Sequence, residues 1–133
     1  MDLICVEPVE APHFTIRVRQ HQLSVDYSHS DGGKDRGPSP TEMLVGSLGT
    51  CIGMTVARYC QTVGCSTEGL EICLTFELPD TGARRIKTII VDVDLPEGFP
   101  PNRVSALARV VRDCPIHNTL TSPPQIDIEF STG

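Results

Sequence analysis

The sequence predicts an α+β fold with the element order β-β-α-β-β-α-β. Three observations carry that prediction. Short runs alternate apolar and polar residues, one long stretch of low charge has helical character, and a second, shorter stretch repeats its apolar residues at three- and four-residue spacing.

The elements follow in order along the chain. Residues 1–12 hold two prolines and three acids and read as an irregular N-terminal arm. In residues 13–19, Phe14, Ile16 and Val18 face one way and Thr15, Arg17 and Arg19 the other, the pattern of a half-buried strand. Leu23, Val25 and Tyr27 alternate in the same way after a break at Gln20 and His21, which predicts a hairpin. The segment SHSDGGKDRG, residues 28–37, is a polar, glycine-rich loop.

Ser39-Pro40-Thr41-Glu42 is a helix start. Ser39 can cap, Pro40 suits the first helical position, and Glu42 completes an S-x-x-E capping box. The helix is expected over 40–63, with Gly64 as its stop. Only Glu42 and Arg58 are charged in it, so most of its faces should be buried. Gly46, Gly49, Thr50, Gly53 and Ala57 form a stripe of small residues, and three glycines inside a helix call for a packing reason. Either a second helix crosses there at close range, or a strand or loop lies against the stripe.

Leu70, Ile72, Leu74, Phe76 and Leu78 alternate with polar residues, as do Ile89, Val91, Val93 and Leu95. With Pro79-Asp80-Thr81-Gly82 between them they predict a second hairpin over 70–78 and 85–95. Val104, Leu107, Ala108 and Val111 give a helical stripe in 102–113, which Pro115 should end near Cys114. Residues 125–130 are expected to form a last short strand.

A chain of 133 residues suits a single domain, residues 1–133. Seventeen acids against eleven bases give a net charge of -6, which argues against a nucleic-acid surface and a polybasic membrane anchor. Apolar stretches are interrupted by Gly, Thr and Glu, so no membrane span is expected. No positively charged signal start precedes them, and a cytoplasmic location is expected. Six cysteines in such a chain point to reactive thiols or a metal site rather than to a stapling framework.

On position alone Cys51 reads as a small core residue of the long helix. Cys114 opens a Cys-Pro-x-His string that could be catalytic, metal-binding or a helix-end turn. His117 could serve as an acid or cap helix carbonyls, and Asn118 and Thr119 read as turn residues. Cys60 and Cys65 are spaced C-x4-C, without the tight C-x2-C pairs of zinc sites. Cys5 and Cys73 have no thiol neighbour in sequence, and His13, His21 and His29 lack ligand spacing.

Two strings are more specific. GPSPTEMLVGSLGTCIGMTV, residues 37–56, and DCPIHNTL, residues 113–120, resemble the two cysteine motifs of the OsmC/Ohr superfamily, the osmotically induced and organic-hydroperoxide-resistance proteins. The resemblance is to the broad OsmC-like group of small redox proteins. It implies an intertwined homodimer around a central pair of long helices, and thiol-dependent reduction of organic hydroperoxides. It matches Cys51 to the peroxidatic cysteine and Cys114 to the resolving one, with a Cys51–Cys114 disulfide recycled by a lipoyl-type or other small dithiol. No cofactor and no metal are implied.

Cys51 lies about three turns inside its helix, beyond the reach of the helix N-terminus, so a cation must approach it. The family uses an arginine held by a glutamate. Glu42 matches that glutamate, or serves only its capping box. Arg19 is the favoured arginine, with Arg17, Arg36 and Arg58 as alternatives. The competing functions are a non-enzymatic thiol-redox sensor or small-ligand-binding protein on the same fold, and a metal-binding protein using Cys60, Cys65 and His117.

Overall fold

The computed structural model describes residues 2–133. Its elements are β1 (Ile4–Glu10), β2 (His13–Val18), β3 (His21–Val25), α1 (Pro40–Val63), β4 (Glu71–Glu77), β5 (Thr88–Asp94), α2 (Val104–Arg112) and α3 (Pro115–Thr121), with short 3₁₀ turns at His29–Asp31 and Pro101–Arg103. The class is α+β, as the sequence predicts. The order differs at three places.

A strand, β1, replaces the irregular arm expected over residues 1–12. It pairs antiparallel with β2, Ile4 opposite Val18 and Val6 opposite Ile16, in a sheet of order β1-β2-β3. As an edge strand it tolerates Pro8, whose missing N–H can face away from the ladder. A short helix, α3, follows α2 where a turn was expected. The last strand expected over 125–130 is absent, and residues 123–133 carry no regular structure. A strand needs a partner ladder, and the segment's alternating apolar residues find none among the described residues.

α1 occupies the residues the sequence assigns to it. The Ser39 N–H donates to Glu42 Oε1 at 2.9 Å and the Glu42 N–H donates to Ser39 Oγ at 3.1 Å, a reciprocal capping box. At the other end the Cys65 N–H donates to the Cys60 carbonyl at 2.9 Å and the Gly64 N–H to the Gln61 carbonyl at 3.3 Å. Gly64 lies at φ 77°, the left-handed position that a Schellman cap requires and that glycine takes without steric cost.

The chain divides into two compact units. The first holds residues 2–46 and Leu78–Ile86, the second Ser47–Glu77 and Lys87–Gly133. In the first, the β1-β2-β3 sheet and the opening of α1 surround an apolar hollow of about 610 Å³ whose lining includes Phe14, Ile16, Val25, Tyr27, Met43 and Leu44.

The second unit has its core along one stripe of α1. Leu48, Ile52, Val56 and Cys60, each one turn from the next, are buried with Phe99 and Leu107. The β4-β5 hairpin covers them: Ile72, Leu74 and Phe76 stand opposite Val93, Val91 and Ile89. Burying a Leu, Ile or Val side chain contributes about 1.5–3 kcal/mol each, which makes this stripe the main anchor of the helix. By length and composition alone α1 could cross a membrane, contrary to the sequence expectation; the stripe is instead buried in the chain's own core.

The small-residue stripe also finds its partner inside the chain. A Cβ on Gly49 would collide with Leu74, and one on Gly53 would come within 3.0 Å of Ile72. Of the two packing reasons open at the level of sequence, a strand against the stripe holds for these two glycines, and no crossing helix is needed there.

Candidate active site

Cys51 and Cys114 are joined in a disulfide, their Cα atoms 6.4 Å apart and 63 residues apart in the chain. Both belong to the second unit. Cys51 sits in mid-helix on α1, half-buried, and its carbonyl accepts the Thr55 hydroxyl at 2.9 Å. The regular helix fixes its direction: Ile52 and Leu48 bury one flank of α1 and leave Cys51 toward the side from which Cys114 comes.

Cys114 is almost wholly buried, at 1% exposure. Its setting differs from the one predicted. α2 ends at Arg112, and Cys114 is the N-cap of α3, with extended φ and ψ of -78° and 134°, Pro115 in the first helical position and the Asn118 N–H on its carbonyl at 2.9 Å. Pro115 therefore starts a helix as well as ending one. Asn118 donates from its side chain to Asp113 at 3.1 Å, which ties the carboxylate beside Cys114 to α3. Cys114 thus lies between two helix ends, the negative C-terminus of α2 and the positive N-terminus of α3.

His117 lies inside α3 rather than past a helix end, and its Nδ1 is buried without a hydrogen-bond partner. Asn118 and Thr119 are helical too, the Thr119 hydroxyl donating to the Pro115 carbonyl at 2.8 Å.

The remaining predicted site residues belong largely to the first unit. Glu42 gives its carboxylate to the capping box. Arg19 stands between β2 and β3 at φ 52° and donates to Asp2 at 3.2 Å. Arg17 is paired with Glu7. Arg36 lies 3.6 Å from Glu10 and 3.5 Å from His13 Nδ1. Arg58, on α1 in the second unit, takes part in none of the salt bridges among the described residues. Glu10 is held below its usual value by the hydrogen bond and charge of Lys34, aided by Arg36.

Sequence reasoning missed Asp26. It is 2% exposed, at the end of β3, and accepts the backbone N–H groups of Tyr27 at 2.7 Å and of Lys34 and Arg36 at 3.2 Å each. Burial pushes its carboxyl up; the N–H groups of Arg36, Tyr27 and Lys34, with the charge of His13, outweigh that and hold it below the ordinary value. Asp26 pins the loop that leads into α1, and its own N–H donates to the Pro38 carbonyl at 3.2 Å. The available signal was an acid ending a strand just before a glycine-rich loop, where it can collect backbone donors.

Among the described residues no group of three or more His, Cys, Asp or Glu side chains is arranged to hold a metal ion, so Cys60, Cys65 and His117 do not form one.

The chain is a mixed α+β protein whose central helix carries a cysteine bonded to the cysteine that caps α3. The comparisons are narrower. The family model described as OsmC-like protein matches residues 32–129, and the chain belongs to that family. No curated protein sequence matches it.

Solved structures share the fold at low identity. An osmotic stress induced and detoxification response protein from Psychrobacter arcticus is 16% identical, with a TM-score of 0.79 over 90% of this chain and 88% of that one. An OsmC like protein from Mycoplasma pneumoniae is 18% identical, with a TM-score of 0.77 over 92% and 89%. An organic hydroperoxide resistance protein from Legionella pneumophila is 14% identical, with a TM-score of 0.67 over 90% and 88%.

Proposed function

We propose that this protein is a dithiol-dependent reductase of organic hydroperoxides. The observation that carries the reading is the Cys51–Cys114 disulfide, which links a central-helix cysteine to a helix-cap cysteine. Membership of the OsmC-like family and a fold shared with a protein named for organic hydroperoxide resistance support it.

The Cys51 thiolate attacks the O–O bond of ROOH and becomes a sulfenic acid, while the leaving alkoxide takes up a proton to give ROH. The Cys114 thiol then condenses with the sulfenic acid, forming the disulfide and releasing water. A dithiol reductant, lipoyl-type or a small thiol, attacks the disulfide, leaves both cysteines reduced and is itself oxidised. A cytoplasmic setting, where such dithiols are held reduced, goes with this cycle.

The cation that activates Cys51 is assigned to an arginine, Arg19 first, with Glu42 as its holder; Arg17, Arg36 and Arg58 are the other candidates. Neutralising each in turn tests this, since loss of the true activator raises the pH at which the reaction reaches half-maximal rate.

The functional unit is proposed to be an intertwined homodimer, supported by the apolar side chains that the single chain leaves in solvent, Met54 on α1 and Ile4, Val6 and Val9 on β1 among them.

The test is steady-state consumption of an alkyl hydroperoxide with dihydrolipoamide, run beside hydrogen peroxide. Repeated turnover, faster with the organic substrate, is the expected outcome. A single stoichiometric oxidation that stops after one equivalent would instead make the protein a thiol-redox sensor or a binding protein.

A further inference from the structure

The second cysteine pair is built by the helix end itself. In a Schellman cap the residue that donates the outermost hydrogen bond and the residue that accepts it come side by side, and an apolar contact usually joins them. Here those two residues are Cys65 and Cys60. The Cys65 N–H donates to the Cys60 carbonyl at 2.9 Å, and Cys65 packs against the apolar cluster that contains Cys60. Cys60 is fully buried among Leu48, Ile52 and Val56, whereas Cys65 is half-exposed. We propose that Cys60 and Cys65 are a second redox site, a dithiol that takes oxidising equivalents from small disulfides of the glutathione class and closes into a disulfide across the C-terminal end of α1.

The chemistry balances without a metal or a peroxide. The Cys65 thiolate attacks one sulfur of the small disulfide RSSR, forming a mixed disulfide and expelling RS⁻, which is protonated to RSH. Cys60 then gives up its proton and attacks Cys65 Sγ, forming the Cys60–Cys65 bond and expelling the second RS⁻. Two protein thiols are oxidised and one RSSR becomes two RSH.

The order of the two steps follows from the setting. Burial, together with the hydrogen bond and charge of Cys65, pushes the Cys60 thiol up, so Cys60 is a poor first nucleophile and acts only once Cys65 has been activated beside it. Direct exchange with the Cys51–Cys114 disulfide is excluded by distance, because Cys60 lies nine residues along α1 from Cys51, a rise of about 13.5 Å. The oxidant must therefore come from solution. Cys73 provides an internal comparison. It is exposed, but the charge of Glu71 pushes its thiol up and it has no thiol neighbour.

The experiment uses the reduced full chain, incubated with oxidised glutathione and then acid-quenched. Combined cleavage after Arg and Glu releases peptide 59–68, which contains Cys60 and Cys65 and no other cysteine. The expected result is a loss of two hydrogens within that peptide while Cys73 stays free. With Cys60→Ser, glutathione should persist on Cys65 as the trapped mixed disulfide. With Cys65→Ser, residue 60 should stay unmodified. Two free thiols in peptide 59–68 of the wild type, at a glutathione excess that already closes Cys51–Cys114, would overturn the proposal. So would a wild-type mixed disulfide on Cys65 that never closes. Neither result bears on peroxide turnover, which depends on Cys51 and Cys114.

Discussion

At the scale of single residues, the order in which the two thiols act in the proposed cycle turns on access. The sequence ends the second helix near Cys114, and the structure starts α3 at the same residue, so two helix ends of opposite sign meet there. A helix end is worth about 0.3–1 kcal/mol, less than tenfold in thiolate population. Exclusion from solvent is the larger effect: Cys114 is 1% exposed and Cys51 is half-buried. In the proposed cycle a peroxide therefore meets Cys51 first. Cys51→Ser should abolish peroxide consumption, while Cys114→Ser should consume one equivalent and leave a trappable sulfenic acid that over-oxidises in excess peroxide. Single-turnover assays with a sulfenic-acid probe check this, and an inert Cys114→Ser beside a reactive Cys51→Ser would reverse the roles. Asp26 supplies a second residue-scale prediction. Its folded carboxyl titrates below the unfolded one, so its contribution to stability is complete above the unfolded value, about 3.9, and is lost as pH falls through the folded value. Asp26→Asn removes the charge that three backbone N–H groups hold. Urea midpoints from pH 7 to 3 should show the gap between wild type and variant widest near neutrality and narrowing below about pH 4; a gap that grows on acidification would contradict the assignment.

At the scale of elements, Gly49 shows why α1 carries small residues. Leu74 of β4 fills the space a side chain would take. Gly49→Leu should overpack this contact and destabilise the chain by about 1–3 kcal/mol in chemical denaturation, whatever its association state. Gly49→Ala should cost less, because only the end of a flexible Leu74 side chain must move and alanine regains about 1 kcal/mol of helix propensity. The same helix shows which features were readable in advance. Its limits follow from chemistry local in sequence, the Ser39–Glu42 box and Gly64, and both appear as predicted. The β4-β5 hairpin was readable for the same reason, since strict alternation fixes which faces meet. α3 was not, because a proline after a helix reads equally as a stop or as the first residue of the next one. Nor was β1, where Pro8 is tolerated only because the strand lies at a sheet edge, a fact of topology rather than of local sequence. The cysteine motifs marked Cys51 and Cys114, but the Schellman contact between Cys60 and Cys65 needed the helix end to be seen, as spacing alone does not bring two thiols together.

At the scale of the whole molecule, the apolar residues left in solvent argue for a second copy. Ile126, Ile128 and Phe130 alternate with Gln125, Asp127 and Glu129, yet they form no ladder, and Phe130 is 93% exposed. A sequence with a strand's pattern and no partner in its own chain is suited to pair with an edge on another. Both sheets offer edges, since one has β1 and β3 outermost and the other consists of β4 and β5 alone. With the glycine stripe satisfied at Gly49 and Gly53 by β4, the case for a homodimer rests on this tail and on the exposed faces of β1 and α1. Obligate dimers commonly bury more than about 2,000 Å² of largely apolar surface, and a paired tail would add its apolar side to such an interface. Sedimentation at micromolar concentration should give the wild type twice the 14.5 kDa chain mass. Ile128→Asp with Phe130→Asp should shift it toward the single chain, because two charges on the apolar side of the tail cannot be buried against a partner's sheet without a large desolvation cost. The buried core of Leu48, Ile52, Val56 and Cys60 lies elsewhere in the chain, so the variant should keep its helical circular dichroism. A folded wild-type monomer would refute the dimer, and a variant that remains dimeric would move the interface from the tail to the faces of β1 and α1.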